Sequence, residues 1–257
     1  MRRIDPVALV AALIFTPSGG SHQPLYAQDE PPVNRVVEQL RQGLPAIGTF
    51  TRSARPGLDF AVIDEQYGAF DIDGVREAVV AILAGDGAPA ITPVVRIPLA
   101  ARDAPEAVVR QVLDAGALSV MFPDVETRAQ AISAISSMRI GRAAGADVWP
   151  LDPSGRLVAM IQIETLTGIE NLDEILDVPG IGVIFLGPTD LATSAGEDGP
   201  NAPRVDALVQ QVLEACLERN IPCGYPIVAS SPEDAERQTA RRLAEGFKVL
   251  AVMTTAR

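Results

Sequence analysis

Two apolar runs in the middle of the chain each stop abruptly at a carboxylate. Leu157 to Ile163 gives way to Glu164, in Gln162-Ile163-Glu164-Thr165, and Ile181 to Leu186 gives way to Gly187-Pro188-Thr189-Asp190-Leu191. Short, nearly uninterrupted apolar runs fit buried parallel strands, and the segment between these two is long enough for a helical crossover. Neighbouring strands lie roughly 5 Å apart, so carboxylates at adjacent strand ends can share one divalent cation. A plainer reading stands beside this one: Glu164 caps a loop and Asp190 caps the next helix.

Other charged residues fall at comparable places. Asp64, Glu65, Gln66 and Tyr67 end one apolar run, Arg96 ends the next, and Asp124 follows the one after. A charge at the end of an apolar strand costs desolvation unless it is paired or liganded. One arginine among several carboxylates describes either a structural ion network or a site for a metal and an anionic substrate, with Arg96 meeting the negative charge.

The elements that must position these groups alternate along the chain. Strands are expected at Ala46–Phe50, Leu58–Ile63, Thr92–Ile97, Leu118–Phe122, Leu157–Ile163, Ile181–Leu186, Ile221–Val228 and Phe247–Met253. Helices are expected at Arg35–Gln42, Val75–Ala84, Pro105–Ala115, Thr127–Met138, Ile169–Leu176, Val205–Arg219 and Pro232–Ala244. Asn34, Asp73 and Ser231 supply start signals, and Gly43 and Gly116 supply stops. Eight strands alternating with helices predict a (β/α)8 TIM barrel whose site lies at the C-terminal strand ends. Two features depart from a regular barrel. Thr51 to Gly57 is too short for a crossover helix, and no final helix follows the eighth strand. The barrel is therefore expected to be trimmed, or completed by a partner subunit at both places.

Composition narrows the chemistry. The 257 residues carry a net charge of −12, with 47% hydrophobic and only 4% aromatic residues. That argues against nucleic-acid or anionic-membrane partners and for a core of aliphatic side chains. Residues 1–27 read as a secretory signal peptide: Arg2 and Arg3, then nine apolar residues from Val7 to Phe15, then a polar stretch ending at Ala27. Nine apolar residues fall short of the roughly 20 needed to cross a bilayer. The expectation is an exported single-domain protein of residues 28–257, periplasmic or secreted, with no membrane attachment after cleavage. Its charge becomes −13, and the single histidine, His22, leaves with the signal. Histidine triads and histidine-bound zinc are thereby excluded. Cys216 and Cys223 either form a disulfide or fill buried apolar positions. The lone lysine, Lys248, opens the eighth strand at the end away from the site, which disfavours a Schiff-base aldolase.

Val94-Val95-Arg96, Gln162-Ile163-Glu164-Thr165 and Gly187-Pro188-Thr189-Asp190-Leu191, in this order and spacing, resemble the HpcH/HpaI family of metal-dependent (class II) pyruvate aldolases, 4-hydroxy-2-oxoheptanedioate aldolase-like. The similarity runs from about Asn34 to Thr255. It implies a phosphoenolpyruvate/pyruvate-type barrel and a divalent cation (magnesium, manganese or cobalt) held by Glu164 and Asp190. A 2-oxo acid such as pyruvate would be positioned by Arg96, Gln162, Gly187 and Thr189. Arg96, Tyr67, Asp64 and Asp114 would serve catalysis, Asp114 by reaching a neighbouring subunit's site in a homotrimer or hexamer. A surface aspartate at a helix end is the alternative for Asp114. The chain departs from the family at Tyr67, where relatives carry a histidine in a segment of the form Asp-x-Glu-His-Gly. A tyrosine, with an ordinary pKa near 10, is a poor base at neutral pH. Two expectations follow: a carbon–carbon lyase acting on 4-hydroxy-2-oxo acids, or a non-catalytic relative that binds metal and an oxo acid. An acyl-CoA lyase of the citrate-lyase β-subunit type is a third, disfavoured by export.

Overall fold

The computed structural model describes residues 33–85, 91–139 and 148–255; the expected signal peptide lies outside them. Its strands are β1 (Ala46–Phe50), β2 (Phe60–Asp64), β3 (Thr92–Arg96), β4 (Ser119–Phe122), β5 (Val148–Trp149), β6 (Leu157–Ile163), β7 (Val183–Leu186), β8 (Cys223–Ala229) and β9 (Val249–Thr254). All pairings are parallel. They run β4-β3-β2-β1-β9-β8-β7-β6, and a β4–β6 ladder closes the ring, with the two-residue β5 alongside β6. This is the expected eight-stranded barrel.

Alternation of side chains splits the core in two. Phe60, Val62, Val94, Met121, Val158, Met160, Val183, Phe185, Val249 and Ala251 fill the barrel interior. The complementary positions, among them Ile63, Val95, Val120, Ile161, Ile184 and Leu250, pack outward against the helices. Space inside is tight: a Cβ on Gly224 would meet the Phe185 ring at 2.5 Å, so glycine there lets the aromatic fill the centre. Helix α1 (Arg35–Arg41) plugs the N-terminal end, burying Val36 and Val37 in the interior cluster. Its cap, Asn34, accepts from Val37 N and donates to Leu118 O, Ser119 Oγ and Arg156 O at 2.8–3.1 Å, tying the plug to the strand starts. Lys248 sits at this same end, its Nζ donating to Gly43 O at 3.2 Å.

The outer helices are α2 (Ile72–Ala84), α3 (Glu106–Asp114), α4 (Arg128–Ser137), α5 (Leu166–Glu170), α6 (Leu172–Leu176), α7 (Pro188–Ala195), α8 (Pro203–Glu218) and α9 (Pro232–Glu245). Three differ from expectation. α2 starts three residues earlier than read, capped by Asp71 rather than Asp73, because Asp71 Oδ1 accepts from Gly74 N. The single helix expected at 169–176 is two, broken at Asn171, whose side chain donates to Glu126 O at 2.8 Å. α7 is not among the expected helices, and it starts two residues before Asp190, the residue offered as a cap. Residues 51–59 hold no helix, as their number dictates; Arg52 instead pairs with the buried Glu65. The outer faces of β1 and β9 thus border an apolar cleft of about 540 Å³, lined by Ile47, Leu58, Leu243 and Val252 among others. Cys216 and Cys223 are buried free thiols, not a disulfide. Among the described residues no helix is long and apolar enough to cross a membrane.

Candidate active site

A cleft of about 580 Å³ opens at the C-terminal end of the barrel, lined by Asp64, Gln66, Tyr67, Arg96, Gln162, Glu164, Gly187, Thr189 and Asp190, together with Phe50, Tyr225, Pro226, Val228 and Met253. Most residues singled out from sequence therefore converge; Glu65, paired with Arg52, and Asp124, which meets Glu164 through its backbone N–H, are outside this lining, and so is Asp114. Asp114 is the last residue of α3, exposed on the helix layer and outside the lining of this cleft.

Glu164 is the most deeply placed charge, only 1% exposed. Its Oε2 accepts from Gln162 Nε2 at 2.8 Å; its Oε1 accepts from the backbone N–H of Asp124 at 2.9 Å and from Gln66 Nε2 at 3.5 Å. Asp124 reaches it from the left-handed region, φ +48°, a conformation aspartate tolerates better than most residues. Burial raises the Glu164 carboxyl to about 8, and the adjoining Asp124 carboxyl adds to the push. Gly187 makes room for it: a Cβ there would run into Glu164 Oε2. Of the two capping roles in the plainer reading, that of Glu164 is met, since it accepts the Asp124 N–H in the loop after β4, and that of Asp190 is not. Thr165 caps α5, accepting from Gly168 N, and α7 has no side-chain cap, with Asp190 in its first turn.

Asp190 is partly exposed, its pKa raised by burial and by the charge of Asp124, against the pull of Arg96 and a hydrogen bond from Tyr67. Arg96 closes the group. Its Nε and one terminal nitrogen donate to the two oxygens of Asp64 at 2.8 and 2.6 Å, and its guanidinium lies 4.9 Å from the Phe50 ring centroid. Burial of Asp64 works against its ionisation, but Arg96 outweighs it and holds the carboxyl below the usual range. Among the described residues the other terminal nitrogen of Arg96 has no hydrogen-bond partner, and it remains for a ligand. Tyr67 stands at the lip, 67% exposed, its pKa raised by burial and by the charges of Asp190, Glu164 and Asp124. It is a proton-bearing group at neutral pH.

Sequence reading missed Gln66 as a contact of Glu164, and read Asp124 only as a charge after a strand. It also missed Phe50, Val228 and Met253. Nothing in the local pattern separates a last inward apolar residue from the core below it.

Among the described residues no three histidine, cysteine or carboxylate side chains converge to hold an ion alone. Two features nonetheless fit a divalent cation. Glu164 and Asp190 offer hard oxygen donors of the kind magnesium and manganese take, leaving positions for water and a chelating ligand. The Oε1 atoms of Gln66 and Gln162, buried beside Glu164, have no partner among the described residues, an arrangement that costs about 1–3 kcal/mol each until something bound satisfies it.

A closed parallel barrel with its polar groups gathered at the C-terminal mouth defines the enzyme-type (β/α)8 class. Within that class, the chain belongs to the HpcH/HpaI aldolase/citrate lyase family, whose profile matches residues 49–255. It is 29% identical over 221 residues to the 2-keto-3-deoxy-L-rhamnonate aldolase of Escherichia coli (strain K12 / DH10B), covering 76% of this chain and 80% of that one. With the enzyme of the same name from Salmonella schwarzengrund (strain CVM19633) it shares 31% over 211 residues, 72% and 74% of the two chains. Among solved structures, a family protein from Burkholderia cenocepacia J2315 superposes with a TM-score of 0.70 at 23% identity, over 86% of this chain and 93% of that one. The HpcH/HpaI aldolase of Desulfitobacterium hafniense DCB-2 gives 0.67 at 20%, over 84% and 89%. At these identities the structures speak for the fold.

Proposed function

We propose that this mouth is the site of a divalent-metal-dependent carbon–carbon lyase, an aldolase that cleaves or forms 4-hydroxy-2-oxo acids with pyruvate or a related 2-oxo acid as the enolate half. The observation that carries the reading is the grouping of Glu164, Asp190 and Arg96 at one mouth in a chain of aldolase/lyase descent. Glu164 and Asp190 would hold magnesium, manganese or cobalt. When bound, the cation supplies Lewis acidity toward the oxygens of the 2-oxo acid. In cleavage the 4-hydroxyl gives up a proton, the C3–C4 electron pair moves onto the 2-oxo acid as its enolate, and C3 takes up a proton. The free terminal nitrogen of Arg96 donates to the oxygen on which negative charge grows, and Asp64 keeps that guanidinium aimed. Gln162 and the backbone from Gly187 to Thr189, the start of α7, hold the carboxylate end. Tyr67 donates a hydrogen bond at the lip and orients water.

A second reading keeps the binding and drops the turnover: a relative that holds a cation and an oxo acid without catalysis. Tyr67 favours it, since the raised phenol pKa makes this residue a poor replacement for a histidine base. The test follows pyruvate release from 4-hydroxy-2-oxo acids, with and without manganese, in wild type, Tyr67→His and Glu164→Ala. Metal-dependent release lost in Glu164→Ala supports the lyase. Silence in wild type with activity gained in Tyr67→His gives the second reading. Release that survives Glu164→Ala sinks the metal assignment.

Two further parts of the proposal concern context. Residues 1–27 direct export to the periplasm or beyond, checked by mass spectrometry of the mature N-terminus. A second copy packs on the uncovered face of β1 and β9, giving a trimer or hexamer in which Asp114 approaches a neighbour's mouth. Sedimentation at a single-chain mass would end that idea.

A further inference from the structure

The two sides of the mouth differ in kind. Following the ring, β2, β3, β4 and β6 bring Asp64, Arg96, Asp124, Gln162 and Glu164 to the rim. The adjoining strands β1, β9 and β8 bring Phe50, Met253, Pro226 and Val228. These four point inward by alternation from interior residues lower on the same strands, Ala46, Ala251 and Gly224. Val228 and Met253 stand directly side by side in the β8–β9 register, with Pro226 and Ala251 paired beneath them. Val228 is 58% exposed, an aliphatic side chain left open to the cleft. On this side the polar side chains of the lining are Asn201, exposed at the rim, Gln238, whose Nε2 is already given to Asp234 at 3.0 Å, and Tyr225, whose ring is covered by the Arg242 guanidinium at 4.0 Å.

We infer that this apolar arc receives the aldehyde half of the substrate, and that the site selects acceptors with alkyl or aryl chains over hydroxylated ones. The inference rests on the aldolase reading and specifies its second substrate. With the 2-oxo acid held at the polar arc, its C3 faces the opposite wall. There the C3 carbanion bonds to the aldehyde carbonyl carbon and the aldehyde oxygen takes up a proton, giving the 4-hydroxy-2-oxo acid. The remainder of the aldehyde then lies along Met253, Val228 and Phe50. An alkyl chain there leaves water behind, whereas a hydroxyl laid against Met253, Val228 and Phe50 leaves water for side chains that offer it no hydrogen bond. The relatives above are named for 2-keto-3-deoxy-L-rhamnonate, an acid whose aldehyde half carries a hydroxyl; this arc is built for something less polar.

The test uses the full mature protein with manganese and pyruvate, and three acceptors of equal length: propanal, lactaldehyde and glyceraldehyde. The expected kcat/KM order places propanal first, by roughly tenfold or more over each hydroxylated acceptor, the range one unmatched group gives in an apolar pocket. In Val228→Asn that ratio should fall several-fold. Equal use of the three, or preference for glyceraldehyde, overturns the inference. Deuterium exchange at pyruvate C3, read by NMR without an acceptor, separates the two layers. Exchange with no preference for propanal refutes the acceptor assignment alone, while absence of exchange refutes the lyase reading. In that last case the acceptor assignment falls with the lyase reading.

Discussion

The polar and apolar arcs of the barrel mouth sit at the same height on the same ring, yet they are held in different ways. On the polar side nearly every group is fixed by another: Asp64 grips Arg96, and Gln162, Gln66 and the Asp124 amide grip Glu164. On the apolar side Val228 and Met253 are simply the next inward residues above a packed interior, held by strand register. Groups that must meet developing charge need their geometry fixed beforehand, because reorganisation during reaction weakens them. Groups that only exclude water from a carbon chain need shape and no more. The two arcs should therefore break differently. Damage to the polar arc costs turnover outright, while damage to the apolar arc changes which substrate is preferred.

The largest effect is expected where a charged group would act on the reacting oxygen. Arg96→Lys keeps the charge but loses the paired donation to Asp64, and kcat for retro-aldol cleavage should fall by about 10²–10³-fold. A fall of less than fivefold would mean that Arg96 serves the ion pair with Asp64 and nothing else. Gly187→Ala comes next. The added methyl collides with Glu164, and overpacking of this kind costs about 1–3 kcal/mol. Manganese affinity, measured by calorimetry, should weaken by ten-fold or more even though no proposed ligand has been changed. Undiminished affinity would show that Glu164 is free to move and is not pre-positioned.

The pH dependence of stability gives a third measure of how far the polar arc is strained. The Glu164 pKa is about 8 in the folded chain against an ordinary 4.5. Between those values the folded state keeps a proton that the unfolded state has released, so this residue's contribution to stability falls as pH rises through the window. In chelator-treated protein the Tm of wild type should decline from pH 5 to pH 8 more steeply than that of Glu164→Gln. Manganese should then raise the wild-type Tm more at pH 8 than at pH 5, since cation binding favours the ionised carboxylate. Parallel pH profiles for the two proteins would remove Glu164 as the source.

How much of this could be read in the sequence follows the same division. Strands β1 and β6 begin and end where their apolar runs do, and the other six barrel strands fall within about two residues of expectation, because buried parallel strands are written as continuous aliphatic runs; the two-residue β5 was not expected. Glu164, Arg96 and Asp64 were legible because a charge interrupting such a run is conspicuous. α7 was not, since Gly187-Pro188-Thr189 reads as a turn, although proline at the first position of a helix is favourable. Asp124 was seen as a charge, but its approach to Glu164 depends on a left-handed backbone that residue type alone does not announce. The apolar arc was invisible for a simpler reason. Phe50, Val228 and Met253 are ordinary members of their runs, and only the closing of the ring puts them on one side of the mouth, opposite Glu164.

Phe50 marks the seam between the arcs, and the smallest effect is expected there. Its ring carries the Arg96 guanidinium at 4.9 Å on one side and faces the apolar cleft on the other. Phe50→Leu keeps an apolar wall but removes the ring face that attracts the cation, an interaction worth about 0.5–1 kcal/mol when partly exposed. Turnover should therefore drop by roughly two- to fivefold, while the ratio of propanal to lactaldehyde use stays near that of wild type. The opposite pattern, with turnover intact and the ratio shifted, would place Phe50 wholly in the apolar arc and leave Asp64 alone to orient Arg96. Loss of both would mean that the arcs are one mechanical unit, with the ring transmitting acceptor binding to the guanidinium that meets the enolate.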